Sequence, residues 1–237
     1  MATSKAFDGR RHEVTRLEGF SDAVFAFAVT LLVVSLEVPR TFNELMAAMR
    51  GFFAFAICFA LLFQVWWRHH TYFRRYGLED SVTKALTGIL LFVVLFYVYP
   101  LKFLWTLVIV GQFMGDAAVR LSDGRVEPMI LNTQLPRLFE IYGLGAAAVF
   151  SVFVALYLHA YRLRDALGLT PHETLDTRLS VLSNIGLAAV GVLSAAIAWA
   201  GGTRRVFLAG MVYWTIGLIE WGIGTYGGRQ RKRLDAI

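Results

Sequence analysis

The sequence predicts an all-α membrane protein of six transmembrane helices per subunit, with both termini cytoplasmic. Three observations lead there. Of the 237 residues, 57% are hydrophobic and 17% charged, with a mean hydropathy of +0.57; soluble domains run nearer roughly 45–50% apolar and 25% charged. The apolar residues fall into six stretches long enough for a hydrocarbon core of about 30 Å. Lys and Arg are about twice as frequent in alternate connecting segments as in the others, the bias that sets orientation in the membrane.

The first stretch is Leu17–Val38, after a polar N-terminal segment with no small-residue cleavage site behind the apolar run. The second is Gly51–Trp67. The third, Leu86–Val110, carries Pro100 and Lys102 inside it. The fourth is Leu138–Tyr161, the fifth Leu179–Ala200 and the sixth Val206–Tyr226. The longest connection, 111–137, holds a turn signal at Ser122-Asp123-Gly124 and two prolines, Pro128 and Pro136. No internal repeat or composition break divides the chain, so residues 1–237 read as a single six-helix domain. An even count places both termini on one side, and the charge bias makes that side cytoplasmic.

Composition also excludes function classes. The net charge of +6 and pI near 9.7 would suggest nucleic acid in a soluble chain. Here the basic residues lie between apolar runs, so the bilayer and not nucleic acid is the expected surroundings. Cys58 is the single cysteine, which excludes an internal disulfide or a paired-cysteine metal site. The sequence contains no GxSxG, HExxH or P-loop motif, so no enzyme is expected. The glycine-rich filter loop of ordinary potassium channels is absent too.

Polar groups inside the apolar stretches are costly there and carry the information. The first stretch opens Arg16-Leu17-Glu18-Gly19-Phe20-Ser21-Asp22. Arg16 and Asp22 are six residues, about 240°, apart on a helix and do not share a face. Asp22 therefore needs a partner from another helix or a water-filled mouth. The second stretch ends Trp66-Trp67-Arg68-His69-His70, at the same depth, so a cross-helix cluster of Arg16, Asp22 and His69 or His70 is available. It reads either as a structural staple or as a proton or ion site. No metal centre is expected, since adjacent histidines point about 100° apart with no third ligand spaced for it. Glu220 is neutral and hydrogen-bonded, or paired. A proton-coupled carrier relaying through Asp22, His69 and Glu220 is the alternative to a channel, and a non-conducting structural protein is a third reading. Gln64 reads as a bond to another helix, Lys102 as snorkelling outward, and Gly143, Gly145, Gly186, Gly191, Gly210 and Gly217 as close helix packing.

The segment from Arg16 to Asp22 matches RxxxFSD, and in this it resembles the endolysosomal potassium channel family, the transmembrane protein 175 family, and its bacterial homologues. The continuation AVFAFAVTLLVVSLEVP is similar to the rest of that family's first helix, and Trp66-x-x-His69-His70-x-x-Phe73 to the end of its second. The resemblance implies a potassium-selective leak-type channel in a bacterial plasma membrane. It would be a homotetramer whose first helices surround a central pore, with permeant K+ and no cofactor. It implies a constriction at Phe27, Leu31 and Val34, which share a helical stripe at i, i+4, i+7, and a role in potassium preference for Thr30. It assigns Arg16, Phe20, Ser21, Asp22, Trp66, His69 and His70 to a motif cluster that holds the first helix in place. Phe27 departs from the isoleucine or leucine usual in the family.

Overall fold

The computed structural model describes residues 14–34, 40–114, 118–120 and 125–236. Helix α1, Arg16–Val34, starts at a reciprocal cap. The Glu18 carboxylate accepts the Thr15 N–H at 2.9 Å and the Thr15 hydroxyl accepts the Glu18 N–H at 3.1 Å. Helix α2, Phe42–Tyr76, ends at Gly77, whose φ of 57° is the left-handed stop that closes many helices. The Asp80 side chain accepts the Thr83 N–H at the start of α3, Ser81–Met114. A short antiparallel hairpin follows, β1 at Ala118–Arg120 and β2 at Val126–Pro128, paired Ala118 to Pro128. The expected Ser122-Asp123-Gly124 turn lies outside the described residues.

Helix α4, Leu135–Arg162, carries Pro136 in its first turn, where the missing N–H costs nothing. Helix α5, Pro171–Gly201, opens on a second reciprocal cap between Thr170 and Glu173. Gly202 then takes φ +53°, a conformation that leaves glycine the natural occupant. The chain continues through a 3₁₀ turn, Gly202–Arg205, into α6, Val206–Met211, a second 3₁₀ turn, Val212–Trp214, and α7, Thr215–Leu234.

Beyond Gly202 the chain runs back along α5. Asp176 meets Arg231 at 2.7 Å, Ser183 bonds Glu220 at 2.5 Å, and the Ser194 hydroxyl donates to the Ala209 carbonyl at 2.9 Å. Pairs whose numbers move in opposite directions mark antiparallel packing. Helices α4 and α5 approach most closely at Gly143 and Gly191, where a Cβ on either would collide with the other's carbonyl oxygen. Gly145 accommodates the Tyr97 ring and Gly186 the Ile219 side chain. Gly210 makes ordinary contact with Phe139, and Gly217 faces open space. The core lies between α1, α2, α3 and α4, filled by Phe25, Leu32, Tyr72, Phe73, Leu90 and Phe153.

The six-helix expectation requires correction. Among the described residues, four helical stretches have the length and composition to cross a membrane: Gly51–Tyr76, Ser81–Ile109, Asn132–Arg162 and Pro171–Leu234. With α1 they make five helical stretches. The fifth and sixth expected spans are joined without a non-helical loop and count as one helical stretch. Gly201 and Gly202 replace the expected loop with a 3₁₀ turn that keeps the chain helical, so Pro171–Leu234 is one stretch of 64 residues folded back on itself. Helix α1 has 19 residues, and 35–38, expected to complete its span, lie outside the described residues. The placement of both termini on one side rested on the count of six and falls with it.

Candidate functional site

Helix α1 has two dissimilar faces. Phe25, Ala28 and Leu32 are buried in the core. About 100° or more around the helix, Phe20, Phe27 and Thr30 are exposed, Phe27 by 56%, and Leu31 is half-buried between the two faces. The Thr30 hydroxyl donates to the Ala26 carbonyl at 3.0 Å, one turn back, so its lone pairs remain directed outward. Val34 closes the helix, and its side chain lies outside the described residues. Of the expected stripe, Phe27 is exposed and Leu31 half-buried, and Thr30 is exposed beside them in the single subunit.

The polar residues at the start of α1 serve two ends. Ser21 is fully buried and donates back to the Leu17 carbonyl at 2.8 Å. Asp22 points toward α2 and accepts the Trp66 indole N–H at 2.7 Å. The Trp66 ring stacks on His70, with centroids 5.4 Å apart and planes 18° from parallel. The structure thus joins Asp22, Trp66 and His70. It does not bring in Arg16, which is exposed with no bonded partner among the described residues. His69 turns the other way, 1% exposed, between Phe25 and Phe73, and its Nε2 has no hydrogen-bond partner. A groove of about 220 Å³ runs between α1 and α2, lined by Phe25, Ala26, Val29, Phe59, Phe63 and Trp66.

Glu220 lies in a different group. It faces Arg68 at 3.7 Å and accepts the Ser183 hydroxyl, while Arg68 also reaches Asn184 at 3.5 Å. The guanidinium sits 5.7 Å from the Phe150 ring centroid. Asp22, His69 and Glu220 share no hydrogen bond: Trp66 holds the first, the second is walled by aromatic rings, and a permanently charged arginine faces the third. Lys102 does not simply snorkel; its ammonium donates to the Leu32 carbonyl in the last described turn of α1 at 2.9 Å. Gln64 is exposed on α2. The described residues hold no cluster of three metal-ligating side chains.

Sequence reasoning missed three features. The Thr15–Glu18 cap was readable as T-x-x-E before an apolar run. The Arg68–Glu220 pair and the Asp80–His159 contact at 2.6 Å join residues far apart in the chain, and no local pattern announces them.

These elements define a multi-pass helical membrane protein in which one apolar helix leaves a face uncovered. The family model described as endosomal/lysosomal potassium channel TMEM175 matches residues 16–98, from the first residue of α1 into α3. A protein of Marivirga tractuosa named a potassium channel is 41% identical over 235 residues, covering 96% of this chain and 93% of that one. A potassium channel of Chamaesiphon minutus is 32% identical over 115 residues, covering 45% of this chain and 57% of its own length. A crystal structure of a threonine-to-alanine variant of the potassium channel MtTMEM175, in complex with a nanobody fusion, superposes with a TM-score of 0.82 at 39% identity. It covers 97% of this chain and 100% of that one. A structure of a lysosomal potassium-selective channel TMEM175 homologue from Chamaesiphon minutus shares the fold, with a TM-score of 0.53 at 22% identity over 90% of this chain and 96% of its own. The chain belongs to the TMEM175 family, a family of channels and not of enzymes.

Proposed function

We propose that this chain is the subunit of a potassium-selective leak-type channel of a bacterial plasma membrane, assembled as a homotetramer with α1 at its centre. The observation that carries the reading is the exposed stripe on α1. Phe27 and Thr30 stand outward while Phe25, Ala28 and Leu32 pack inward. In a tetramer the same stripe from four copies would face a common axis. Phe27, Leu31 and Val34 form the constriction in this reading, excluding water so that an ion meets a dehydration barrier. Thr30 contributes the hydroxyls next to that ring and favours potassium. Potassium is the permeant species and the reading requires no cofactor. Arg16, Phe20, Ser21, Asp22, Trp66, His69 and His70 hold α1 in place and do not touch the ion. The names of the relatives, potassium channels 41% and 32% identical to this chain, support the choice of ion.

Planar-bilayer recording of the purified protein under a potassium/sodium gradient tests this reading. The expected current follows the potassium gradient without proton coupling. A flux that saturates and tracks the proton gradient, or a detergent-solubilised mass of one or two subunits, would overturn it.

A further inference from the structure

At the end of the bundle where α4 finishes and α5 begins, a cleft of about 370 Å³ opens against the last turns of α7. Its polar lining is Arg164, Asp165, Thr174, Arg178 and Gln230. The two guanidiniums flank one tyrosine: Arg164 lies 4.9 Å and Arg178 5.1 Å from the Tyr161 ring centroid. Arg178 donates to the Tyr161 hydroxyl from Nε at 2.9 Å and also from Nη2, and Arg164 donates to the Tyr161 carbonyl at 3.4 Å. These bonds fix the arginines without neutralising them. Arg164 meets one carboxylate, Asp165, at 3.5 Å, and Arg178 has no carboxylate partner among the described residues. Two arginines elsewhere in the bundle are matched, Arg68 by Glu220 and Arg231 by Asp176. An arginine has five donors in a planar fork, so each keeps N–H groups unspent beside the cleft, which Gln230 of α7 also lines.

The reciprocal cap of Thr170 and Glu173 already occupies the first turn of α5, so side chains and not the helix terminus set the chemistry. Two oriented guanidiniums and an amide suit the oxygens of a phosphate group. The cleft lies where the apolar run of α4 gives out at Arg162, and the end of a membrane-spanning helix meets the headgroup region. Basic pockets between helices at that depth recruit anionic lipids. We propose that this cleft is a binding site for a phosphate-bearing anion, with Arg164 and Arg178 as the charged clamp and an anionic phospholipid headgroup as its resident. The site is independent of the ion path on α1.

Native mass spectrometry of the full chain, released from vesicles of phosphatidylglycerol and phosphatidylcholine, tests the proposal. The wild-type protein is expected to retain phosphatidylglycerol in preference to phosphatidylcholine. The double variant Arg164→Gln, Arg178→Gln should lower that preference by on the order of fivefold for each guanidinium removed. Arg229→Gln with Arg233→Gln, on α7 but not among the residues that line the cleft, should leave it unchanged. Displacement by millimolar inorganic phosphate would support a free phosphate as resident, and retention in its presence a lipid headgroup. Equal preference in wild type and the cleft variant, or an equal loss in the tail variant, would overturn the site. If the glutamine variant does not fold, headgroup-photoreactive phosphatidylglycerol on wild-type protein gives the same decision. Adducts in 161–178 and 226–234 support the cleft, and adducts spread over the other helix ends overturn it.

Discussion

The Asp22–Trp66 bond ties α1 to α2 through a single N–H, and a conservative change isolates it. Trp66→Phe keeps a ring against His70 and removes the donor. A hydrogen bond to a charged acceptor contributes about 1.5–3 kcal/mol when buried. Asp22 is exposed in the subunit and water can replace the indole, so the expected loss is about 1 kcal/mol, below that range. Thermal unfolding in detergent checks it, and an unchanged midpoint would show the bond contributes nothing. On the other face of α1, if Phe27 lines the proposed constriction, Phe27→Ser should raise conductance and weaken potassium over sodium preference, because a small polar side chain admits water where an apolar ring would exclude it. Conductance unchanged in single-channel recordings would place the constriction elsewhere. The sequence announces that Asp22 needs a partner, since a carboxylate inside an apolar run is expensive. It does not announce which one. Trp66 and His69 lie only about 60° apart around α2, and a small rotation decides which meets Asp22. Packing of His69 between Phe25 and Phe73 makes that decision.

At the scale of elements, the α4–α5 crossing depends on having no side chain at Gly143 and Gly191. Gly143→Val must push the two backbones apart, and overpacking of this kind costs about 1–3 kcal/mol. Gly217→Ala on α7 has open space around its Cβ and should be neutral or stabilising by up to about 1 kcal/mol through helix propensity. Paired unfolding midpoints in detergent test the contrast, and equal effects would mean the crossing has slack. The cores of α2, α3 and α4 are legible from hydropathy because lipid demands long apolar runs. Their ends are not: α2 begins at Phe42, nine residues ahead of its apolar stretch, because a helix continues past the bilayer wherever capping and neighbours allow. The joining of the last two stretches is invisible to hydropathy for another reason. A break in apolar character at Gly201-Gly202-Thr203-Arg204-Arg205 looks alike whether the backbone stays helical or opens into a loop.

For the whole molecule, the Asp80–His159 contact links the α2–α3 connection to the end of α4. Burial alone would raise the Asp80 carboxyl. Hydrogen bonds from Thr83 and then His159 outweigh it and hold the carboxyl below its ordinary value of 3.8. The folded state therefore favours the charged form. Its contribution to stability is present above the ordinary value and is lost as pH falls through the depressed one. Asp80→Asn should remove that dependence, giving a shallower decline in melting temperature than wild type as the pH drops from about 6 to about 3. Parallel curves for the two proteins would exclude Asp80 as a source of acid sensitivity.

Pro100 lacks an N–H, so α3 is short of one bond in its own ladder at that point. Left alone, such a place is where a long rod gives first under load. Here the neighbouring rods are fastened to it. The Tyr142 hydroxyl donates to the Pro100 carbonyl, the Cys58 thiol reaches the Leu101 carbonyl at 3.6 Å, and Lys102 holds the Leu32 carbonyl of α1. Three consecutive residues thus collect ties from α4, α2 and α1. A flexure at Pro100 cannot stay local: it pulls on the helix that carries Phe27 and Thr30 and on two others with it. The proline is a splice, and the four helices joined there bear strain as one frame.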